Sequence, residues 1–143
     1  MMLSGAACQW FDVVEEIHAL RQIWRIQRRW RTTFASGWSD WHGIFGDREW
    51  HVLSSRCVPH VSGGKAIAEY ESRVCSEVVI SERLDDAPAY RCVGGRLPTY
   101  SELQGSWHHD LYIIAGDWSW TFVMTHEDLY GPYFVDPSSN PRA

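Results

Sequence analysis

The most restrictive feature of this chain is a run of alternating side chains near its C-terminus. Over residues 118–126, Trp118, Trp120, Phe122, Met124 and His126 share one parity, and Ser119, Thr121, Val123 and Thr125 share the other. That is the period of a strand with one buried face. Residues 111–115 are apolar as well, and Gly116-Asp117 between the two runs is a glycine-first pair suited to a two-residue type II′ turn. Such a turn sets Ala115 opposite Trp118, Ile113 opposite Trp120 and Leu111 opposite Phe122, apolar against apolar throughout. Most of the Trp-rich face is then core. Continued outward, the same register places Met124 opposite His109, Thr125 opposite His108 and His126 opposite Trp107.

Upstream, residues 10–35 contain no Pro or Gly and place Val13, Ile17, Leu20 and Trp24 at helical spacing. A second series, Ile23, Ile26, Trp30 and Phe34, lies on the adjacent face, so one long helix is predicted with Trp24 and Trp30 in the core. Residues 38–48 read as an ordered loop and residues 49–54 as a strand. Ala66, Ile67, Tyr70 and Val74 mark a helix over 65–74, and strands are predicted over 77–81 and 88–93. Thr99 and Glu102 fit the capping-box pattern of a short helix opening in 98–104. The apolar tail Tyr130-Gly-Pro-Tyr133-Phe134 is expected to pack back on the sheet as a rigid turn.

Short links and the order α-β-α-β-β-α-β-β define an α+β class. The expectation is a single compact domain over 1–143, with an ordered core of about 8–136. Its mainly antiparallel sheet is packed on a face by a long N-terminal helix and one or two shorter helices. For a chain of 143 residues one core suffices, and nine Trp, six Tyr and five Phe must either enlarge it or line a recognition surface.

A net charge of −5 and a pI near 5.7 disfavour a general nucleic-acid binder. The charge is uneven: residues 1–31 hold five Arg against Asp12, Glu15 and Glu16, and the remainder holds eight basic against fifteen acidic residues. Lys65 is the lone lysine, and Arg suits bidentate contacts with carboxylate or phosphate, although G+C-rich codon usage produces the same bias. Cys8, Cys57, Cys75 and Cys92 have neither C-x-x-C nor zinc-module spacing. The N-terminus turns acidic too early for a signal peptide, and no apolar run approaches the roughly 18 residues of a membrane span. A cytoplasmic protein with free thiols, no cofactor and no membrane contact is expected.

Three constellations bear on function. His108, His109, Asp110, His126 and Glu127 gather at the open end of the hairpin, with His109 and His126 on the core side and His108 and Asp110 on the other. His126, Glu127 and His109 are therefore the acid–base candidates, and His109 and His126 the candidate metal ligands. No H-E-x-x-H or similar spacing supports them, and a core-terminating histidine beside solvated ones is the simpler reading. Arg21, Arg25, Arg28 and Arg29 share the polar side of the first helix, as a phosphate-contacting stripe or as a solvated face. Trp38, Trp41, His42, Trp50 and Trp107 are aromatics suited to a protein-recognition patch, or else buried loop anchors. There is no G-x-S-x-G elbow, no P-loop and no G-x-G-x-x-G; Gly63-Gly64-Lys65 before a helix is a weak anion-site signal.

The C-terminal residues Asp110-Leu-Tyr-Ile-Ile, Trp120-Thr-Phe-Val-Met-Thr-His-Glu127 and Gly131-Pro-Tyr-Phe134 resemble the closing motif of the bacterial domain of unknown function family 4275. Trp50-His51-Val-Leu-Ser54, the helix start at Gly64-Lys65-Ala66, and Trp30-Arg31 before Phe34 fall in compatible order. His108-His109 and the Arg- and Trp-rich first helix depart from the pattern. The resemblance implies a compact cytoplasmic bacterial domain and no activity. Taken together, the sequence points to a non-catalytic protein-binding or immunity-like accessory protein whose partner is another protein. The alternatives are a small metal-assisted or acid–base enzyme using the His/Glu cluster, and a nucleic-acid binder acting through the Arg-rich helix.

Overall fold

The structure is a computed structural model that describes residues 7–36, 49–54, 58–84, 87–107, 109–126 and 131–138. Its elements run β1 (Val13–Ile17), α1 (Leu20–Phe34), α2 (His51–Ser54), β2 (Val61–Ser62), α3 (Gly63–Glu71), β3 (Glu77–Ser81), β4 (Ala89–Val93), α4 (Tyr100–Ser106), β5 (Leu111–Ala115), β6 (Thr121–Met124) and β7 (Tyr133–Val135). The strands form one seven-stranded sheet in the order β1-β4-β3-β5-β6-β7-β2, and every neighbouring pair is antiparallel. The chain is thus an α+β domain, as predicted. No helix among the described residues is long and apolar enough to cross a membrane.

Helices cover both faces of the sheet rather than one. On the first face Val78, Ile80, Cys92, Ile113, Phe122 and Phe134 pack with Ala66 and Tyr70 of α3 and Leu103 of α4. On the second, Val79, Ile114, Val123 and Val135 pack with Trp30 and Phe34 of α1 and with Trp50, Val52 and Leu53. The five residues of β5 are all buried, which is why this strand reads as a continuous apolar run.

Strands β3 and β4 and helix α4 lie close to their predicted positions. The capping box is present: the Thr99 hydroxyl accepts from the Glu102 amide at 3.1 Å, and the Glu102 carboxylate accepts from the Thr99 amide at 2.9 Å. Tyr70 of α3 stacks on Phe122 at 4.3 Å, and its hydroxyl donates to the Pro98 carbonyl. Gly63, proposed as part of an anion loop, donates its amide to the Pro132 carbonyl at 2.9 Å. Cys8 is exposed, Cys75 half-buried and Cys92 buried, all as free thiols, and burial pushes the Cys92 thiol up to about 12.

Several expectations are corrected. Residues 13–17 are not helical: they pair with β4 from Val13↔Val93 to Ile17↔Ala89. Val13 and Ile17 satisfy a helical spacing, but Val-Val-Glu-Glu-Ile also suits a pleated edge, and the available partner strand decides. Residues 49–54 contain no strand; Trp50, Val52 and Leu53 are all buried around the short helix α2. A short buried run carries no period that separates strand from helix. The tail expected as a turn contributes strand β7, paired with β6 and β2.

The β5–β6 hairpin closes two residues later than a two-residue turn requires. Leu111 faces Met124 and Ile113 faces Phe122, and Trp118, at φ 62°, lies in the loop. Asp117 accepts from the Ser119 amide at 3.1 Å and from its hydroxyl at 2.6 Å, an Asx turn that takes two more residues into the connection. Because the slip is even, Trp120, Phe122 and Met124 keep their predicted face. Gly116 is needed for space rather than for a positive φ: its amide donates to the Glu77 carbonyl, and a Cβ there would sit 2.8 Å from that oxygen.

The capping carboxylate has a pH signature. Arg96 forks onto Glu102 at 2.7 and 2.6 Å, and with the Thr99 cap it lowers the Glu102 carboxyl from an ordinary 4.5 to about 2. A depressed folded-state value means that this contribution to stability is complete above about pH 4.5 and is lost as pH falls towards 2. Glu102→Gln should therefore lower the urea midpoint at about pH 6 and lower it less at about pH 3. An equal deficit at both would show that the carboxylate's charge is not what stabilises the cap.

Candidate functional site

Helix α1 begins without a side-chain cap at Ala19 and carries no acidic residue in its first turn, so tertiary contacts hold it in place. Ile23, Trp30 and Phe34 are buried. The Trp30 indole donates to the Thr121 hydroxyl at 3.1 Å, and that hydroxyl donates onward to the Ile113 carbonyl at 3.0 Å. Arg31 holds the buried Glu49 carboxylate through Nε at 2.5 Å and a terminal nitrogen at 3.1 Å. Arg29 lies 4.5 Å over the Trp118 ring, and Trp118 stacks on Phe34.

The outward side of α1 is unlike the rest of the surface. Trp24, predicted to be core, is 54% exposed, and Leu20 is 47% exposed. Among the described residues these are two of the four exposed large apolar side chains, the others being Val13 and Val74. Arg21, Arg25 and Arg28 surround Trp24 and line a shallow hollow with it. None of these three guanidinium groups has an ion pair or hydrogen bond among the described residues. Helical periodicity alone sets the Arg and Trp residues of this helix on separate sides; the fold brings them together. The helix starts at Leu20, so the apolar series that carried Trp24 inward is interrupted at its origin.

The predicted hairpin-end cluster is reorganised around Asp110. This buried carboxylate accepts from the His126 amide at 2.8 Å and lies 2.6 Å from His126 Nδ1. Its other oxygen accepts from the Trp50 indole at 2.9 Å, and the Trp107 indole donates to the Asp110 carbonyl at 3.3 Å. The Trp50 amide donates to the Tyr112 hydroxyl at 2.9 Å, and Trp50 sits edge-on to His126. An ionised carboxylate only accepts, so against ionised Asp110 the His126 Nδ1 is the donor. His126 thus turns to Asp110 rather than to the core side assigned to it. His109 is exposed against the Trp107 ring.

Trp50 and Trp107 are therefore buried anchors, not recognition aromatics. Trp38, Trp41, His42, His108 and Glu127 lie outside the described residues. No group of three His, Cys, Asp or Glu among the described residues is placed to hold a metal ion. Two contributors escaped the sequence reading: Asp110 as a hub, and Leu20 with Trp24 as an exposed pair. Asp110 sits one position before a wholly apolar strand, the one available signal for its burial.

No family model matches the chain, and neither a curated protein nor a solved structure does so. The chemistry of the site rests on the residues themselves.

The two tryptophan environments give opposite mutational outcomes. Trp50→Ala removes a fully buried ring and should destabilise by about 3–5 kcal/mol in urea unfolding. Trp24→Ala should change stability by no more than about 0.5 kcal/mol. Similar losses for both would mean that Trp24 is packed in solution.

Proposed function

We propose that this protein is a non-catalytic binding domain, an accessory or immunity-like partner of another protein, and that it binds through the outward face of α1. The observation that carries the reading is the set of three arginines, without ion-pair partners among the described residues, around a half-exposed tryptophan. Trp and Arg dominate the energetics of protein interfaces, Trp by its large rigid area and Arg by its planar fork of donors. Three adjacent guanidinium groups repel one another in the free protein, and a partner's carboxylates relieve that repulsion on binding. A protein partner is favoured over nucleic acid by charge. Helix α1 carries five Arg and no acidic residue, so the rest of the chain carries −10, which opposes a polyphosphate strand. Membership of the bacterial domain of unknown function family 4275, and a cytoplasmic setting, belong to this reading on the strength of the motif at residues 110–134; neither supplies an activity.

One observation favours acid–base chemistry as a second reading: buried Asp110 lies 2.6 Å from Nδ1 of His126 and fixes its ring, as the carboxylate beside a general base does. The same carboxylate also ties down Trp50 and the His126 backbone, which gives it a structural role without any substrate.

Site-specific cross-linking in the native host separates these readings. A photo-reactive phenylalanine in place of Trp24 should yield a discrete adduct with one protein, abolished by Arg28→Glu. The same group at Val74, which is 99% exposed in the link between α3 and β3, should not. Adducts of equal intensity from both positions, or none from position 24, would sink the binding-face reading.

A further inference from the structure

We infer that the partner presents an acidic amphipathic helix that lies along α1; this rests on α1 being the binding face. Leu20, Trp24, Gln27 and Arg31 stand at i, i+4, i+7 and i+11. On a helix of 3.6 residues per turn these positions fall in one line of about 16 Å, the spacing of a coiled-coil seam. Leu20 and Trp24 leave the first half of that seam apolar and about half exposed, while Gln27 and Arg31 reach towards buried Glu49 and close the second half with polar groups. Arg21 and Arg28 follow the two seam positions Leu20 and Gln27 directly, which makes them the flanking charges that select a partner helix. The opposite flank, Ile23 and Trp30, is buried against the body of the protein. A second helix therefore meets one apolar half-seam and one basic rail.

The spacing favours a helix over an extended segment. Arg21 and Arg28 are seven residues apart, about 10.5 Å along the axis, which two carboxylates seven apart on a facing helix reproduce. Same-face side chains on a strand recur about every 6.8 Å, so 10.5 Å falls midway between repeats. Arg25 lies further round, off the seam, and contributes general attraction rather than a pairing position. Charge selects the sign: a facing row of Glu meets the basic rail of Arg21 and Arg28, and a basic helix is repelled.

A fluorescein-labelled 21-residue peptide tests this, with Leu at a and d and Glu at e and g; the Glu rows keep it from pairing with itself. Fluorescence polarisation with the full chain should give saturable binding. The double variant Arg21→Glu, Arg28→Glu should weaken it by at least about tenfold, as should Trp24→Ala, while Arg25→Glu should have a much smaller effect. Binding of a Glu→Gln peptide as tightly as the Glu peptide, an Arg25→Glu loss equal to that of Arg28→Glu, or displacement of the peptide by a single-stranded oligonucleotide at lower concentration would each overturn the inference. A partner cross-linked at position 24 that lacks an acidic helix would overturn the helix alone; the lack of any cross-link would overturn the binding face as well.

Discussion

Strand β5 lies between β3 and β6 with all five side chains buried, and the rest of the architecture follows from covering it twice. Ile113 and Leu111 require one apolar layer, which α3, α4 and the first core cluster supply. Tyr112 and Ile114 require a second, which α1 and the Trp50 segment supply. A sheet with one wet face would leave α1 no seat. Because α1 is the long helix of that second layer, its outer side is an extended, regular surface. The polar groups that enter this interior are satisfied: no described buried side-chain nitrogen or oxygen lacks a hydrogen-bond partner.

Asp110 does at the sheet end what β5 does in the middle. Alone it would be a poor choice for a buried position, since an isolated carboxylate there is strongly disfavoured. With the Trp50 indole, the His126 amide and the His126 ring as donors, it joins α2's approach, β5 and the end of β6 at one point. The aromatic surplus of the chain is explained in large part here and in the two clusters. Trp10, Trp30, Trp50, Trp107 and Trp120 are all buried, several with their indole N–H committed to a named acceptor.

Legibility in the sequence tracked how many independent signals each element carried. Helix α4 was readable because Thr99 and Glu102 announce a cap by chemistry as well as by spacing. The faces of β6 were readable because side-chain size and polarity alternate over residues 118–126, although the turn before it was not: Gly116-Asp117 fits a short turn, and the Asp117–Ser119 bonds that lengthen it leave no pattern. Strand β1 and helix α2 were misread because a run of four or five residues fits two periods, and only a partner strand or a covering layer decides between them. At the site, Arg21, Arg25 and Arg28 were legible as an exposed row. Trp24 was not, since its placement depends on where α1 begins. That start is set by the pairing of β1 with β4, a contact more than seventy residues away in sequence.

The hydrogen-bond relay from Trp30 through Thr121 to Ile113 has a consequence for recognition. It pins α1 to the sheet at one rotational setting, and the Arg31–Glu49 contact fixes the same helix near its end. A helix held in this way brings Leu20, Trp24 and the arginines to a partner with their backbone already ordered. Association then loses mainly side-chain freedom at the contact, without the additional entropy of folding a segment, and even a small apolar half-seam can produce measurable affinity.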